Sequence, residues 1–164
     1  MNTSVNHAAA LQRLLAHYQA MPPVAAMQLA IAGYDGQRLQ LHAPLNVHVN
    51  DKGCAFGGSL ASMMTLASWG LVSLRVEAAG LHADVFVADS QVRYLAPLFA
   101  DLDVEAELAA DADWDTFLTT LRQRGRARAG VVARARLPGA CPEQRRGGGN
   151  ATEFTARYVA IAKP

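Results

Sequence analysis

Asn50-Asp51-Lys52-Gly53-Cys54-Ala55-Phe56-Gly57-Gly58-Ser59 runs on as Leu60-Ala61-Ser62-Met63-Met64-Thr65-Leu66-Ala67-Ser68-Trp69-Gly70-Leu71-Val72-Ser73-Leu74. No charged residue occurs from Cys54 to Leu74. A run of about 18 uncharged apolar residues is long enough to span hydrocarbon. Here, however, it is broken by Gly57, Gly58, Ser59, Ser62, Thr65, Ser68, Gly70 and Ser73, and it is followed by Arg75 and Glu77 instead of a basic anchor. A helix apolar all round and not in lipid is surrounded by protein. The expectation is therefore a helix buried on nearly all sides, with a polar, glycine-bearing lip where it begins.

Toward the N-terminus, Leu11, Leu14, Leu15 and Tyr18 stand at helical spacing within Ala8 to Tyr18, and Pro22-Pro23 stops that helix. Pro23 to Gln28 reads as one more turn of helix. Leu29 to Tyr34 and Arg38 to Pro44 then flank Asp35-Gly36, a strong hairpin dipeptide. Past the long helix, Ala83 to Leu95 reads as a strand closed by Pro97. Leu102, Val104, Ala106 and Leu108 alternate with Asp103, Glu105 and Glu107, the pattern of a half-buried antiparallel strand. Trp114, Phe117, Leu118 and Leu121 return to helical spacing, or cap a bent turn, before Gly125. From Arg126 to Leu137 the odd positions are apolar, while Arg126, Arg128, Arg134 and Arg136 take even ones. Pro138 to Asn150 reads as a flexible loop and Glu153 to Ala162 as a last strand.

At 164 residues, 51% hydrophobic and 18% charged, the chain fits one globular domain. The expected division is a helical lead-in over 1–20 and a single domain over 21–164, with its loop at 138–150. A net charge of +1 and few aromatics point away from nucleic acid. Cys54 and Cys141 are far apart, and His7, His17, His42, His48 and His82 show no ligand spacing, so no metal site is expected. The N-terminal residues lack the basic start and continuous apolar segment of a signal peptide. A reduced, cytoplasmic protein without a membrane anchor is the expectation. Segregated elements of this kind indicate an α+β layer architecture: an antiparallel sheet curved around the charge-free helix, with edges left for a second copy.

At this point the sequence becomes recognisable. Asn50 to Ser59, the buried helix and the later Asp89-Ser90-Gln91-Val92-Arg93-Tyr94-Leu95-Ala96-Pro97 strand resemble the hotdog-fold acyl thioesterases, most closely the thioesterase domain of the YiiD C-terminal type. The likeness covers most of the chain from about Pro22 onward. It implies a sheet wrapped around one central helix, a homodimer that can pair into a tetramer, an acyl-CoA or acyl-carrier thioester as substrate, and no cofactor beyond the coenzyme A of that substrate. Many such proteins carry an Asn or Asp three residues before a glycine, a His-Gly-Gly at the helix start and a carboxylate along the helix. Asn50 and Gly53 match the first pair and Gly57-Gly58 the glycines. Phe56 replaces the histidine, and Thr65 stands where one branch has its carboxylate.

Thioester hydrolysis requires a group to activate water or attack the carbonyl, donors for the oxyanion, and room for the acyl and pantetheine arms. Backbone N–H groups at Gly57 and Gly58 are the candidate donors. No Asp or Glu lies between Asp51 and Glu77, so Asp51 is the candidate base or nucleophile, with Asn50 orienting water or substrate; its plainer reading is a turn aspartate. Ser59, Ser62, Thr65, Phe56 and Ser90 are candidates to line the substrate's path, although small hydroxyls on a buried helix also serve close packing. His48 lies near the lip, where it could assist proton transfer, but reads more simply as a solvent-facing strand histidine. The alternating arginines could meet coenzyme A phosphates or merely form a wet strand face. Phe56 and Thr65 keep a second class open, an acyl-CoA binding module without catalysis. An enoyl hydratase or dehydratase, also built on this fold, is disfavoured without the His and acid around the helix.

Overall fold

The computed structural model describes residues 2–139 and 149–163. Helix α1 (Asn2–Ala20) and the short α2 (Pro22–Ala25) lead into the hairpin β1 (Ala30–Tyr34) and β2 (Arg38–Ala43). Asp35 builds that hairpin's turn, because its Oδ1 accepts from the Gln37 and Arg38 N–H groups at 2.8 and 2.7 Å, while Gly36 takes a φ of +88°. After α3 (Gly57–Ala78) come β3 (Ala83–Tyr94), β4 (Leu102–Leu108), α4 (Trp114–Arg124), β5 (Arg126–Arg136) and β6 (Asn150–Ala162). The Trp114 segment is thus a true helix. Asp113 caps it by accepting from Thr116 N–H at 2.7 Å, and Gly125 ends it at φ +66°. The expected loop over 138–150 falls mostly on residues outside those described; β6 itself begins at Asn150, three residues earlier than its apolar pattern indicates.

The six strands form one antiparallel sheet in the order β1-β2-β4-β5-β6-β3, with α3 against one face. This is the hotdog arrangement. Because β2 leads through α3 to β3, the helix carries the chain to the far edge of the sheet. Met63, Met64, Ala67, Leu71 and Val72 of α3 are fully buried against Leu39, Leu41, Leu102, Phe154 and Tyr158, each large side chain contributing about 1.5–3 kcal/mol of burial. Two tyrosines brace the helix, Tyr18 Oη donating to Leu66 O at 2.7 Å and Tyr158 Oη to Thr65 O at 2.9 Å. Burial pushes both hydroxyls well above the usual tyrosine value, so they stay protonated as donors.

Two expectations are corrected. The helix is not buried all round: Ser62 is exposed, and Ser59, Leu66, Trp69 and Ser73 are only partly covered, so one stripe of α3 lies bare. It starts at Gly57, the first of the glycine pair expected there, just after the β-bridge between Val49 and Ala55. Nor is the arginine strand simply wet. Arg134 donates to Glu107 at 2.7 Å and Arg136 to Glu105 at 2.6 Å, Gln40 also donates to Glu105 at 2.7 Å, and the Glu105 side chain is only 5% exposed. Directly paired positions Gln40, Glu105, Arg134, Glu153 and Arg93 run as one row across five strands on the face away from α3. Among the described residues no helix is long and apolar enough to cross a membrane.

Candidate functional site

The lip before α3 is a loop closed by Asn50. Its Oδ1 accepts from Lys52 N–H at 2.8 Å and Cys54 N–H at 3.3 Å, while its own N–H donates to Cys54 O at 2.8 Å. Gly53 completes the turn at φ +79°, a left-handed conformation suited to glycine. Asn50 is therefore occupied in holding the loop. Asp51 points outward with its side chain 80% exposed and contacts Lys52 Nζ at 2.9 and 3.0 Å. The loop delivers Phe56 as the N-cap of α3: its N–H donates to His48 O at 2.7 Å, and its C=O accepts from Leu60 N–H at 3.1 Å. Helix geometry leaves the N–H groups of Gly57, Gly58 and Ser59 without an intrahelical acceptor, at the positive end of the helix dipole.

Two hollows flank that end. The larger, about 580 Å³, is lined on α3 by Gly58, Ser59, Ala61, Ser62, Thr65 and Leu66, with Phe56 at its mouth and Pro23, Val24 and Met27 as the opposite wall. The smaller, about 330 Å³, lies toward the end of β3 and is lined by Gly57, Tyr94 and Leu98 among others. The glycine pair is divided between them, Gly57 lining the smaller and Gly58 the larger, and exposed aromatic rings crowd both positions. A Cβ at position 57 would lie 3.2 Å from Tyr94 Cε1, and one at position 58 would run into the Phe56 ring. Tyr94 Oη donates to Gly57 O at 2.9 Å.

Of the residues singled out from the sequence, Phe56, Gly58, Ser59, Ser62 and Thr65 meet in the larger hollow, and Gly57 faces the smaller one. Asn50 and Asp51 stand in the adjoining loop and line neither; Ser90 lies exposed on the edge strand and lines neither. The Thr65 hydroxyl donates back to Ala61 O at 2.8 Å. Asp89 is bonded by Arg157 Nε at 2.8 Å, which holds its carboxyl below the usual carboxylate range. His48 is buried at 4% exposure, contrary to the solvent-facing reading, with Nε2 2.7 Å from Met27 O. Pro23, Val24, Met27 and Tyr94 are neighbours of the site that the sequence pattern did not single out. The Pro22-Pro23 pair signalled a helix stop, but nothing in its spacing signalled a cleft wall. Among the described residues no three His, Cys, Asp or Glu side chains are grouped to hold a metal ion.

A curved antiparallel sheet around one helix, with free amides at a glycine pair, defines the class of hotdog thioesterase-like proteins. Within it, the chain belongs to the family described as "Putative thioesterase (yiiD_Cterm)", whose profile matches residues 8–162. It is similar to a "putative thioesterase" from Shewanella oneidensis at 26% identity, covering 93% of this chain and 98% of that one with a TM-score of 0.79. It is also similar to a protein of unknown function from Chlorobaculum tepidum, at 25% identity, 94% and 99% coverage and a TM-score of 0.87. A thioesterase family protein from Silicibacter pomeroyi shares the fold at 17% identity, with 94% and 99% coverage and a TM-score of 0.67.

Proposed function

We propose that the protein hydrolyses an acyl thioester, with an acyl-CoA or acyl-carrier conjugate as substrate, in a cytoplasmic setting. The observation that carries this is the pair of hollows at the start of α3, one lined by Gly58 and the other by Gly57: a thioester has two arms, and its carbonyl lies between them. The free N–H groups of the first turn of α3 supply donors to the oxyanion that forms when water adds to the carbonyl carbon. The C–S bond then breaks, and the thiol leaves with the proton taken from that water. The proton acceptor we assign is Asp51, the carboxylate of the loop that carries the helix start. That side chain lies against Lys52 in the free chain, so the assignment requires it to turn toward the thioester when substrate binds. Coenzyme A enters only as part of the substrate.

Thiol release across acyl-CoA chain lengths tests this reading, with Asp51→Asn and Asn50→Ala run beside the wild type. Turnover that falls in Asp51→Asn supports it, and full activity in that variant removes Asp51 from the reaction. One observation favours a second reading, a binding module without catalysis: none of the residues lining the larger hollow has a titratable side chain. Saturable acyl-CoA binding with no thiol released by the wild type would select that module.

A further inference from the structure

The outer wall of the larger hollow is bonded within its own turns, as Met27 N–H to Val24 O at 3.0 Å shows, but is only lightly anchored to the rest of the domain. No residue of α2 is buried, and Val24 and Met27 pack against the core only in part. Just beyond Met27, Gln28 takes a φ of +51°, the one non-glycine residue with positive φ among those described. That conformation costs about 1–2 kcal/mol and persists where the surroundings hold it. The tie is His48. Its ring nitrogen Nε2 lies 2.7 Å from Met27 O, and since a carbonyl only accepts, Nε2 carries the proton. Its main-chain carbonyl accepts Phe56 N–H at 2.7 Å, and its own N–H donates to Leu45 O at 2.8 Å. One buried residue thus grips the α2 wall through its side chain and the start of α3 through its backbone.

We propose that His48 is a positioning residue that sets the gap between the Pro23–Met27 wall and the N-terminus of α3, and thereby which acyl chains the site accepts. This rests on the thioesterase reading above. Losing the imidazole leaves the Met27 carbonyl unsatisfied and frees the strained turn at Gln28, so the wall moves while the amides of Gly57 and Gly58 stay where the helix puts them. The expected mark is on KM and chain-length preference more than on kcat.

The test compares wild type, His48→Phe, His48→Gln and Met27→Ala in two assays: thiol release from acyl-CoAs of increasing length, and binding of non-hydrolysable acyl-CoA thioethers. His48→Phe, which keeps a ring but has no donor, should raise KM for the preferred chain about tenfold and flatten the length profile, with kcat changing far less. His48→Gln, whose amide can donate, should recover part of the preference. Met27→Ala leaves the backbone bond intact and should move the preference toward bulkier chains. Melting temperatures are read first, and if His48→Phe does not fold, the Gln and Met27 variants decide. Wild-type KM and length profile in these variants would overturn the role of His48 while leaving hydrolysis standing. A wild type that neither hydrolyses nor binds any acyl-CoA would overturn the thioesterase reading, and this inference with it.

Discussion

A single methyl group at position 57 separates the proposed chemistry from the fold. In Gly57→Ala the new Cβ meets the Tyr94 ring at 3.2–3.4 Å, and that ring, with its residue 56% exposed, can swing aside, so the helix should still form. The first-turn amide would no longer be open to close approach by an oxyanion. We expect kcat for thioester hydrolysis to drop about 10²-fold with the melting temperature little changed, measured by steady-state thiol release and thermal unfolding. Unchanged kcat would mean that the oxyanion is held elsewhere. At this scale the sequence was partly legible. Glycines at a helix start carry their meaning in their spacing, and Asn50 and Gly53 were identifiable as loop residues. That Asn50 spends its amide on the loop, that Asp51 faces water and that His48 is buried under Met27 depends on contacts between residues distant in the chain, which local pattern does not encode.

Elements show the same division. Alternation in β2, β4 and β5 placed each strand, because a half-buried sheet writes its period of two directly into the chain. A uniformly apolar run has no such period, which is why α3 was recognisable as a helix while its bare stripe was not. Gly70 marks where α1 crosses α3. A Cβ there would collide with Tyr18 Oη and come within 2.8 Å of Leu39 Cδ2, and Tyr18 and Leu39 are 1% and 0% exposed. Alanine gains up to about 1 kcal/mol of helix propensity over glycine. Overpacking costs about 1–3 kcal/mol. Overpacking should win, and Gly70→Ala should melt a few degrees below wild type in calorimetry. On the opposite face of the sheet, burial raises the Glu107 pKa, but the Arg134 hydrogen bond and the Arg134 and Arg38 charges outweigh it, leaving the carboxyl below its ordinary 4.5. A depressed folded value stabilises above the unfolded one and is lost as pH falls through the folded one. Glu107→Gln should therefore cost about 1 kcal/mol at pH 7, and its melting deficit should close as pH drops below about 4.5. A deficit independent of pH would assign the effect to packing.

The strand order of the whole molecule follows from two crossovers, one through α3 from β2 to β3 and one through 95–101 from β3 back to β4 beside β2. With β1 to β2 and β4 to β6 joined as antiparallel neighbours, α3 leaves β3 at the far edge, a consequence that composition and periodicity do not reveal. That edge is twelve residues long and presents Phe86, Val87 and Tyr94 at 55, 47 and 56% exposure. Long apolar edges invite pairing, and proteins that keep them bare usually guard them with charge or proline. Here the bare stripe of α3, the glycine pair bonded to Tyr94 and this edge lie side by side, so a second copy paired along β3 would cover the edge and close the site together. Val87→Lys places a charge on the exposed apolar stretch of that edge. Sedimentation equilibrium should show wild type as a dimer and Val87→Lys dissociating at least about tenfold more readily, an increment of about 1.4 kcal/mol. Thiol release by the variant should then rise with protein concentration more steeply than first order, as the active dimer reforms. A monomeric wild type at assay concentration, or a monomeric variant with full specific activity, would place the whole site within one chain.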